Sequence, residues 1–177
     1  LSDKSLTEQL EAKNHQTALN YLFNYIATKE KINESLILKL HGILMNGVRP
    51  DAGTYRNHAI RITGVNLPTA NYLSIPKLIS GVMVKAGKKT KDIIALSANT
   101  HSQFEKIHPF GDGNGRIGRL LINSILWHNE YPMLIIEYKK RKSYYRALQK
   151  DEEHFVSYFI RRYLTIHKKR YLNLTVK

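Results

Sequence analysis

The segment HPFGDGNGR, residues 108–116, lies between two amphipathic helical patterns and contains three glycines in nine positions. Because Pro109 disfavours the helical conformation of the residue before it, the first helix is predicted to end at His108. The glycines let the backbone turn sharply and approach another group closely. A chain of this kind must therefore join two helices through a tight loop that is rich in charged and amide side chains.

Another helix is predicted to begin directly after this loop, and its first N–H groups have no partners within the helix. Together with the loop amides and the positive end of the helix dipole, they form a nest that suits an anion, above all phosphate. Arg116 and Arg119 lie three positions apart on this helix, so both guanidiniums can face the same anion. The loop is therefore predicted to bind phosphate groups.

Two further side chains of the loop suggest chemistry. Asp112 would repel a phosphate, and a Mg²⁺ ion that bridges its carboxylate to the phosphate oxygens resolves the repulsion. His108 lies at the edge of the loop, and a histidine that is neutral near physiological pH can act as a general base. The residue types therefore indicate a metal-bound phosphate beside a base.

Other glycine-rich motifs fit the loop less well. A calcium loop that begins at Asp112 needs a glutamate at its twelfth position, which is Asn123 here. A Walker loop needs Gly-Lys-Ser/Thr, and a dinucleotide fingerprint follows a strand, whereas a helix precedes this loop. A purely structural glycine turn does not explain why a histidine, an aspartate, an asparagine and two arginines cluster together.

The rest of the chain is predicted to be mainly helical. Ser5-Leu-Thr-Glu8 matches a capping box, Asn33 can cap a second helix, and Asn46-Gly47 can end it. The apolar periodicity predicts helices over 5–28, 33–46, 75–86, 91–107, 115–128, 142–150 and 152–170, and a short strand or loop at 133–136.

The segment 52–72 has a different pattern. Glycine, asparagine and proline residues flank a short alternating run from Ala59 to Thr63, which predicts a small β-hairpin or extended flap. The expected fold class is therefore all-α with one small β-hairpin, in a single domain that spans residues 1–177.

The composition narrows the function classes. The net charge of +14 arises from 28 basic and 14 acidic residues, and it indicates nucleic acid, nucleotide phosphates or acidic proteins as partners, or a composition bias of the source. The absence of cysteine excludes disulfides and thiolate metal sites and is typical of a reducing cytosol. Since no apolar run reaches membrane-spanning length, we expect a protein without membrane contact that is cytoplasmic or is delivered from the cytoplasm to a target cell.

The stretch from His108 to Arg119, HPFGDGNGRIGR, resembles the Fic motif, His-x-Phe-x-Asp/Glu-Gly-Asn-Gly-Arg-x-x-Arg, at every fixed position. Further segments also resemble Fic domains, namely EAKNH at 11–15, AGTYR at 52–56, FEKIH at 104–108, Tyr131-Pro132 and Tyr144-Tyr145. The resemblance covers nearly the whole chain, so it implies the mostly helical Fic fold with one small β-hairpin flap.

The resemblance implies a protein adenylyltransferase, which transfers AMP from ATP to a Ser, Thr or Tyr hydroxyl of a target protein and releases pyrophosphate. By the same resemblance, His108 deprotonates the hydroxyl, and Asp112 holds Mg²⁺ between the α- and β-phosphates. A kinase-like branch of the family carries lysine at the position of Gly115, so the glycine favours AMP transfer.

The resemblance also implies which residues bind the nucleotide. The amides of Gly113, Asn114 and Gly115 cradle the phosphates, and Asn114 contacts the α-phosphate. Arg116 neutralises charge that builds towards the pyrophosphate, and Arg119 binds the γ-phosphate. The implied nucleotide-binding set is Asp112, Gly113, Asn114, Gly115, Arg116, Ile117, Gly118, Arg119 and Tyr144.

Two implied partners act outside the motif. The protein target is aligned by backbone pairing with the flap residues Thr63, Gly64 and Val65. Many Fic proteins also carry an inhibitory helix with the pattern Ser/Thr-x-x-x-Glu-Gly/Asn, and its nearest match here, Thr7–Ala12, lacks the final glycine or asparagine. We expect this helix to lie in missing sequence before Leu1, to come from a partner such as an antitoxin, or to be absent.

Several functions compete with AMP transfer. A nucleotide-binding module without activity is disfavoured by the intact His108 and Asp112. A nucleic-acid-binding helical domain is suggested by the net charge alone, and it predicts salt-dependent DNA binding that survives the loss of His108. Transfer of another nucleotide or phosphate group, and removal of AMP, are further alternatives within the family.

Overall fold

The computed structural model describes residues 5–62, 67–136 and 141–174. In these residues the chain forms a short 3₁₀ turn at Tyr72–Ser74 and the helices α1 (Leu6–Ala27), α2 (Glu34–Leu44), α3 (Ile75–Ala86), α4 (Ile93–Ile107), α5 (Asn114–His128), α6 (Arg141–Leu148) and α7 (Glu152–Leu174). The prediction of a mostly helical fold is confirmed. Among the described residues, no helix combines the length and the apolar character that crossing a bilayer requires.

Local capping explains where several helices begin. Ser5 and Glu8 form the predicted capping box, in which the Ser5 hydroxyl accepts from the Glu8 N–H and the Glu8 carboxylate accepts from the Ser5 N–H. The Asn33 side chain accepts from the Leu36 N–H, and the Asp92 side chain accepts from the Ala95 N–H. These short-range signals place helix starts close to the predicted positions.

Helices α4 and α5 form the centre of the fold. Helix α4 packs against α3, α5 and α7, while α1 packs against α2 and α5. The side chains between them are apolar and almost fully buried, and each stabilises the fold by about 1.5–3 kcal/mol. They include Leu22, Leu40, Ile79, Phe104, Ile125, Phe155 and Phe159. The loop between α4 and α5 is therefore held between two helices whose inner faces are buried in the core.

The predicted β-hairpin is not observed. No strand forms in the described residues 52–62 and 67–72, and the predicted flap residues Thr63, Gly64 and Val65 lie outside the described residues. The two arms are joined by a side-chain contact instead of a ladder, since the Thr69 hydroxyl donates to the Ile60 carbonyl at 3.0 Å. Alternation alone does not produce a strand where no neighbouring strand supplies backbone partners.

Residues 133–136 form a loop, which settles the choice left open by the sequence. The side chain of Asn123 on α5 donates to the Leu134 carbonyl at 3.2 Å and accepts from the Leu134 N–H at 2.8 Å. An amide side chain therefore takes the place of a strand partner at this point. The buried Leu134 side chain then fixes the loop to the core.

Candidate active site

The motif loop, residues 108–113, begins where α4 ends and finishes where α5 begins. His108 caps α4 in the left-handed conformation with φ 52°, and Gly113 takes φ 78° directly before α5. The buried Asn114 side chain closes the loop, because its Oδ1 accepts from the Phe110 N–H at 2.9 Å and its Nδ2 donates to the Phe110 carbonyl at 2.7 Å. The α5 N-terminus and the loop amides are therefore presented together, as the sequence predicts.

A cleft of about 950 Å³ opens above this loop. Its lining includes His108, Asp112, Arg116, Arg119 and Tyr144, so the structure brings the main predicted site residues together. The other side of the cleft is formed by the described arms of the segment 58–67 and by α6. A volume of this size can enclose a nucleotide-sized ligand.

The His108 ring is oriented by the helix that it caps. Its Nδ1 lies 3.2 Å from the Glu105 carbonyl oxygen, which can only accept, so Nδ1 carries the proton of the neutral ring. Burial is the largest influence on His108 and lowers the pKa of its imidazole, which favours the neutral form. The lone pair of Nε2 is then available to take a proton, as a general base requires.

Arg56 holds the backbone of His108 from below and is itself almost fully buried. Its guanidinium donates to the carbonyls of His108 and Ile107 at 2.7 and 3.2 Å, and its backbone N–H donates to the Pro109 carbonyl at 2.9 Å. These carbonyls belong to the last residue of α4 and to the two residues after it, where helix bonds no longer satisfy them. A buried cation therefore fixes the left-handed turn that carries the candidate base.

Arg56 also reaches the segment on the other side of the cleft. It donates to the His58 carbonyl at 2.7 Å and to the Ala70 carbonyl at 2.6 Å. The sequence places Arg56 in the Fic-like stretch AGTYR. That stretch does not indicate that the Arg56 side chain joins the motif loop to both ends of the segment across the cleft.

Asp112 is the candidate metal ligand, and its side chain is about half exposed to the cleft. Its Oδ2 lies 3.8 Å from the Arg116 guanidinium, and its Oδ1 accepts from the Gly113 N–H. No group of three metal-binding side chains occurs within the part of the chain that the structure describes. One carboxylate beside a phosphate nest fits Mg²⁺, which commonly takes one or two carboxylates, substrate phosphates and water.

The two arginines of the motif differ in their surroundings. Arg116 forms an ion pair with Glu11 of α1 at 3.1 Å, so an acidic residue from another helix fixes its position. The Arg119 guanidinium lies beside Gly115, where a Cβ would come within 3.3 Å of Nη1. Both line the cleft. The segment Thr7–Ala12, which is the nearest match to the inhibitory pattern, lies in α1. Its Glu11 contacts Arg116, the first arginine of the motif.

Ile117 and Gly118 do not line the cleft, although the motif resemblance included them among the nucleotide-binding residues. The Ile117 side chain is fully buried in the core. Gly118 packs against α4, because a Cβ at this position would lie 2.6 Å from Glu105 Oε1 and 2.8 Å from the His101 ring. Ile117 and Gly118 fill the two variable positions of the motif, and packing explains both residues, since they face away from the open side of α5.

Tyr144 connects the cleft to a buried polar cluster. Its hydroxyl lies 2.5 Å from His101 Nε2, which leaves the tyrosine ring to face the cleft. Burial lowers the pKa of His101 to about 3 and raises the pKa of Tyr144 well above its usual range. His101 is therefore a buried structural partner of the Tyr144 hydroxyl.

The sequence reasoning missed Glu105 as a component of this cluster. Its carboxyl is buried beneath Gly115 and Gly118, and Oε1 has no hydrogen-bond partner among the described residues. Burial raises the pKa of Glu105 to about 7, although the charge of Arg119 acts in the opposite direction. Its position three residues before His108 on α4 was the available signal, since that spacing places both side chains on one face.

Comparison with known proteins identifies relatives of the chain. A family model described as Fic/DOC family matches residues 31–126. A probable protein adenylyltransferase of Aquifex aeolicus is 35% identical over 130 residues, which is 73% of this chain and 40% of that protein. The protein adenylyltransferase Fic of Drosophila erecta is 30% identical over 160 residues, which is 89% of this chain and 32% of that protein.

Solved structures give the same picture of the fold. Fic-1 of C. elegans superposes with a TM-score of 0.85 at 25% identity, over 99% of this chain and 54% of that one. A Fic domain containing signaling protein from Bacteroides thetaiotaomicron gives 0.78 at 26% identity, over 91% of this chain and 72% of that one. The two curated sequence relatives described above are much longer than this chain, which spans less than half the length of each.

Proposed function

The chain belongs to the Fic/DOC family, and from this premise we propose that it is a protein adenylyltransferase that transfers AMP from ATP to a hydroxyl group of a target protein. The observation that carries the proposal is the arrangement of one cleft. His108, Asp112, Arg116, Arg119 and the N-terminus of α5 all line it. Base, metal ligand and positive charge are the components that transfer of a phosphate-linked group needs.

The proposed reaction begins at the target hydroxyl. Its oxygen attacks the α-phosphorus of ATP while His108 Nε2 accepts the hydroxyl proton. A bond forms between the hydroxyl oxygen and the α-phosphorus, the bond from that phosphorus to the bridging oxygen of the β-phosphate breaks, and pyrophosphate leaves. The Nδ1 contact with the Glu105 carbonyl keeps the free lone pair on the reacting side of the ring.

The remaining motif residues bind and orient the triphosphate. We propose that the backbone N–H groups of Gly113, Asn114 and Gly115 bind the anion at the start of α5, with the Gly113 N–H next to the Asp112 carboxylate to which it donates. For Asn114 we propose a backbone contact with the α-phosphate, because its side chain already binds Phe110. Arg116 stabilises charge that develops on the departing pyrophosphate, and Arg119 binds the γ-phosphate.

We propose that Mg²⁺ is held by Asp112 together with phosphate oxygens. An ion held there would neutralise part of the phosphate charge. The half-exposed carboxylate faces the cleft and is free to take such a ligand. Tyr144 is proposed to contact the nucleotide through its ring, since its hydroxyl binds His101.

We propose that the segment opposite the motif loop receives the protein target. Its flap residues Thr63, Gly64 and Val65 would pair with an extended target strand and complete a small β-hairpin arrangement. Arg56 supports this role, because it fixes both ends of the segment relative to His108. A cytoplasmic setting, which supplies ATP and Mg²⁺, fits the same reaction.

The test uses the purified chain, a cell lysate as the source of targets, and ATP labelled at the α- or the γ-phosphate. We expect protein to acquire label from the α-position only, and chelation of Mg²⁺ to abolish the label. Label from the γ-position would contradict AMP transfer and indicate phosphotransfer. Direct binding of Mg·ATP without any label on protein in lysates of several sources would favour a binding module.

A further inference from the structure

His41 of α2 lies behind the motif loop and is fully buried. Its ring stacks on the Phe110 ring, with centroids 3.7 Å apart and planes within 7°. It does not line the cleft, and the proposed chemistry does not use it. A buried polar ring in this position needs an explanation, because burial of an imidazole is costly unless its nitrogens have partners.

Both nitrogens of His41 have partners, and these define its tautomer. The Gly53 N–H donates to Nδ1 at 2.9 Å, so Nδ1 is an acceptor and carries no proton. In the neutral ring the proton then lies on Nε2, which faces the Asp112 carbonyl oxygen at 3.2 Å. His41 therefore accepts from one loop and donates to the other.

The bond to the Asp112 carbonyl sets the direction of the next peptide group. In a planar trans peptide, the carbonyl and the following N–H point in opposite directions. Because the Asp112 carbonyl points to His41, the Gly113 N–H points away from it. Asp112 Oδ1 accepts from this N–H, so the carboxylate lies on that opposite side too.

This peptide needs an external constraint, because the residue that follows it is a glycine with φ 78°. Glycine restricts its neighbouring peptides less than any other residue, so rotation of the Asp112–Gly113 peptide costs little unless a contact prevents it. Gly113 also packs on α2, where a Cβ would lie 3.6 Å from the His41 ring and 3.1 Å from Met45 Sδ.

We propose that His41 is a positioning residue for nucleotide binding, which holds the Asp112–Gly113 peptide so that the Gly113 N–H and the Asp112 carboxylate both face the triphosphate. This inference rests on the proposed function, because it assigns a purpose to the direction of that peptide. Rotation of the peptide removes one N–H from the anion nest and turns a carbonyl oxygen towards the phosphates.

Two variants separate the two bonds of His41. In His41→Asn, the shorter amide can reach the place of Nδ1 and accept from Gly53, but it does not reach Asp112. In His41→Gln, the longer amide can reach the place of Nε2 and donate to the Asp112 carbonyl. Both variants lose the stacking on Phe110, so loss of packing affects them alike and each is the control for the other.

The first measurement compares the backbone amide signals of Gly53 and Gly113 by NMR in the free protein. We expect His41→Asn to shift or broaden the Gly113 signal while Gly53 stays near its wild-type position, and His41→Gln to give the reverse pattern. A purely structural histidine predicts equal changes at both amides in both variants, and that result overturns the proposal.

The second measurement is calorimetric titration with a non-hydrolysable Mg·ATP analogue. We expect His41→Asn to weaken binding by about tenfold or more, and His41→Gln to remain within about threefold of the wild type, as is typical when a supporting contact behind a ligand group is lost or kept. Equal affinities of the two variants overturn the proposal.

The two measurements distinguish failure of this inference from failure of the proposed function. If the wild-type chain does not bind the Mg·ATP analogue, the proposed function falls, whereas the amide pattern still decides the role of His41. If neither variant folds, the NMR signals of the His41 ring nitrogens in the wild type test the proposal instead. A proton on Nδ1 would contradict the bond from Gly53 and overturn the proposal.

Discussion

The motif loop and the segment that faces it across the cleft are held in different ways. The loop is fixed from behind by three buried side chains, Asn114, His41 and Arg56. The facing segment is tied at its ends by Arg56, and within the described residues its two arms share one side-chain bond from Thr69. The comparison indicates that the part of the site that handles phosphate is preorganised by the fold, whereas the part proposed to meet the target is anchored mainly at its two ends.

The largest effect is expected when the side chain that anchors both regions, Arg56, is removed. Arg56→Ala leaves four carbonyls without their donor, one of them in a buried bond and three in partly buried bonds, and we expect a loss of about 3–5 kcal/mol in the free energy of unfolding, measured by denaturant titration. Arg56→Lys is the matched control, since it keeps the charge but not the branched set of donors, and should lose less. A loss below about 1 kcal/mol for the alanine variant would show that Arg56 anchors neither region.

A second prediction concerns the tight packing behind the motif. Gly118→Ala forces a methyl group to within 2.6 Å of Glu105 Oε1, so we expect the melting temperature to fall, with a cost of about 1–3 kcal/mol. Gly81→Ala on α3 is the control, because its Cβ meets nothing within 4 Å and alanine favours the helix by about 0.5–1 kcal/mol. If both variants are stabilised, the contact between α4 and α5 is looser than described.

The buried Glu105 predicts a pH dependence of stability. Burial raises its pKa from an ordinary 4.5 to about 7. The native protein is therefore at no disadvantage below pH 4.5. It loses stability progressively as the pH rises from 4.5 to about 7, because the carboxyl ionises in the unfolded chain but stays protonated in the core, and the loss levels off above that range. His101 acts in the opposite sense, since a pKa of about 3 disfavours the native state only in acid.

Glu105→Gln isolates this contribution, because His101 is present in both proteins. We expect the two proteins to differ least near pH 4.5, and the variant to gain on the order of 2 kcal/mol over the wild type by about pH 8. Chemical denaturation at several pH values measures the difference. A stability difference that does not change with pH would mean that the carboxyl does not titrate in this range.

The smallest expected effect concerns the bond between the two arms of the facing segment. Thr69→Val removes the hydroxyl that donates to the Ile60 carbonyl and keeps the shape of the side chain. Since one partly exposed hydrogen bond is lost, we expect a destabilisation of about 0.5–1 kcal/mol or less. A larger loss would show that the two arms are held more firmly than their single described bond indicates.

Much of this arrangement could be predicted from sequence, because it depends on short-range signals. The caps at Ser5 and Asn33 act within one helical turn, and the proline after His108 marks the end of α4. The tight loop between α4 and α5, and the placement of the two motif arginines on one face of α5, follow from spacing along one continuous stretch. These features need no knowledge of distant residues.

The supports of the motif loop could not be predicted in the same way. His41 lies 71 positions before Asp112, and Arg56 lies 52 positions before His108. Spacing therefore gives no sign that their side chains meet the loop. Asn114 was expected to contact phosphate. Its side-chain amide instead binds the Phe110 backbone, and these hydrogen bonds become apparent only in the folded loop. Long-range polar contacts of this kind are set by the packing of helices.

A variant of His108 separates the role of the base from that of the phosphate site. His108→Ala and the wild type are compared for transfer of label from the α-phosphate of ATP to protein and for affinity towards a non-hydrolysable Mg·ATP analogue. We expect transfer to fall by about 10²–10⁴-fold while the affinity stays within about twofold, because the base acts on the target hydroxyl and the loop binds the nucleotide. Undiminished transfer by the variant, or a parallel loss of transfer and affinity, would contradict it.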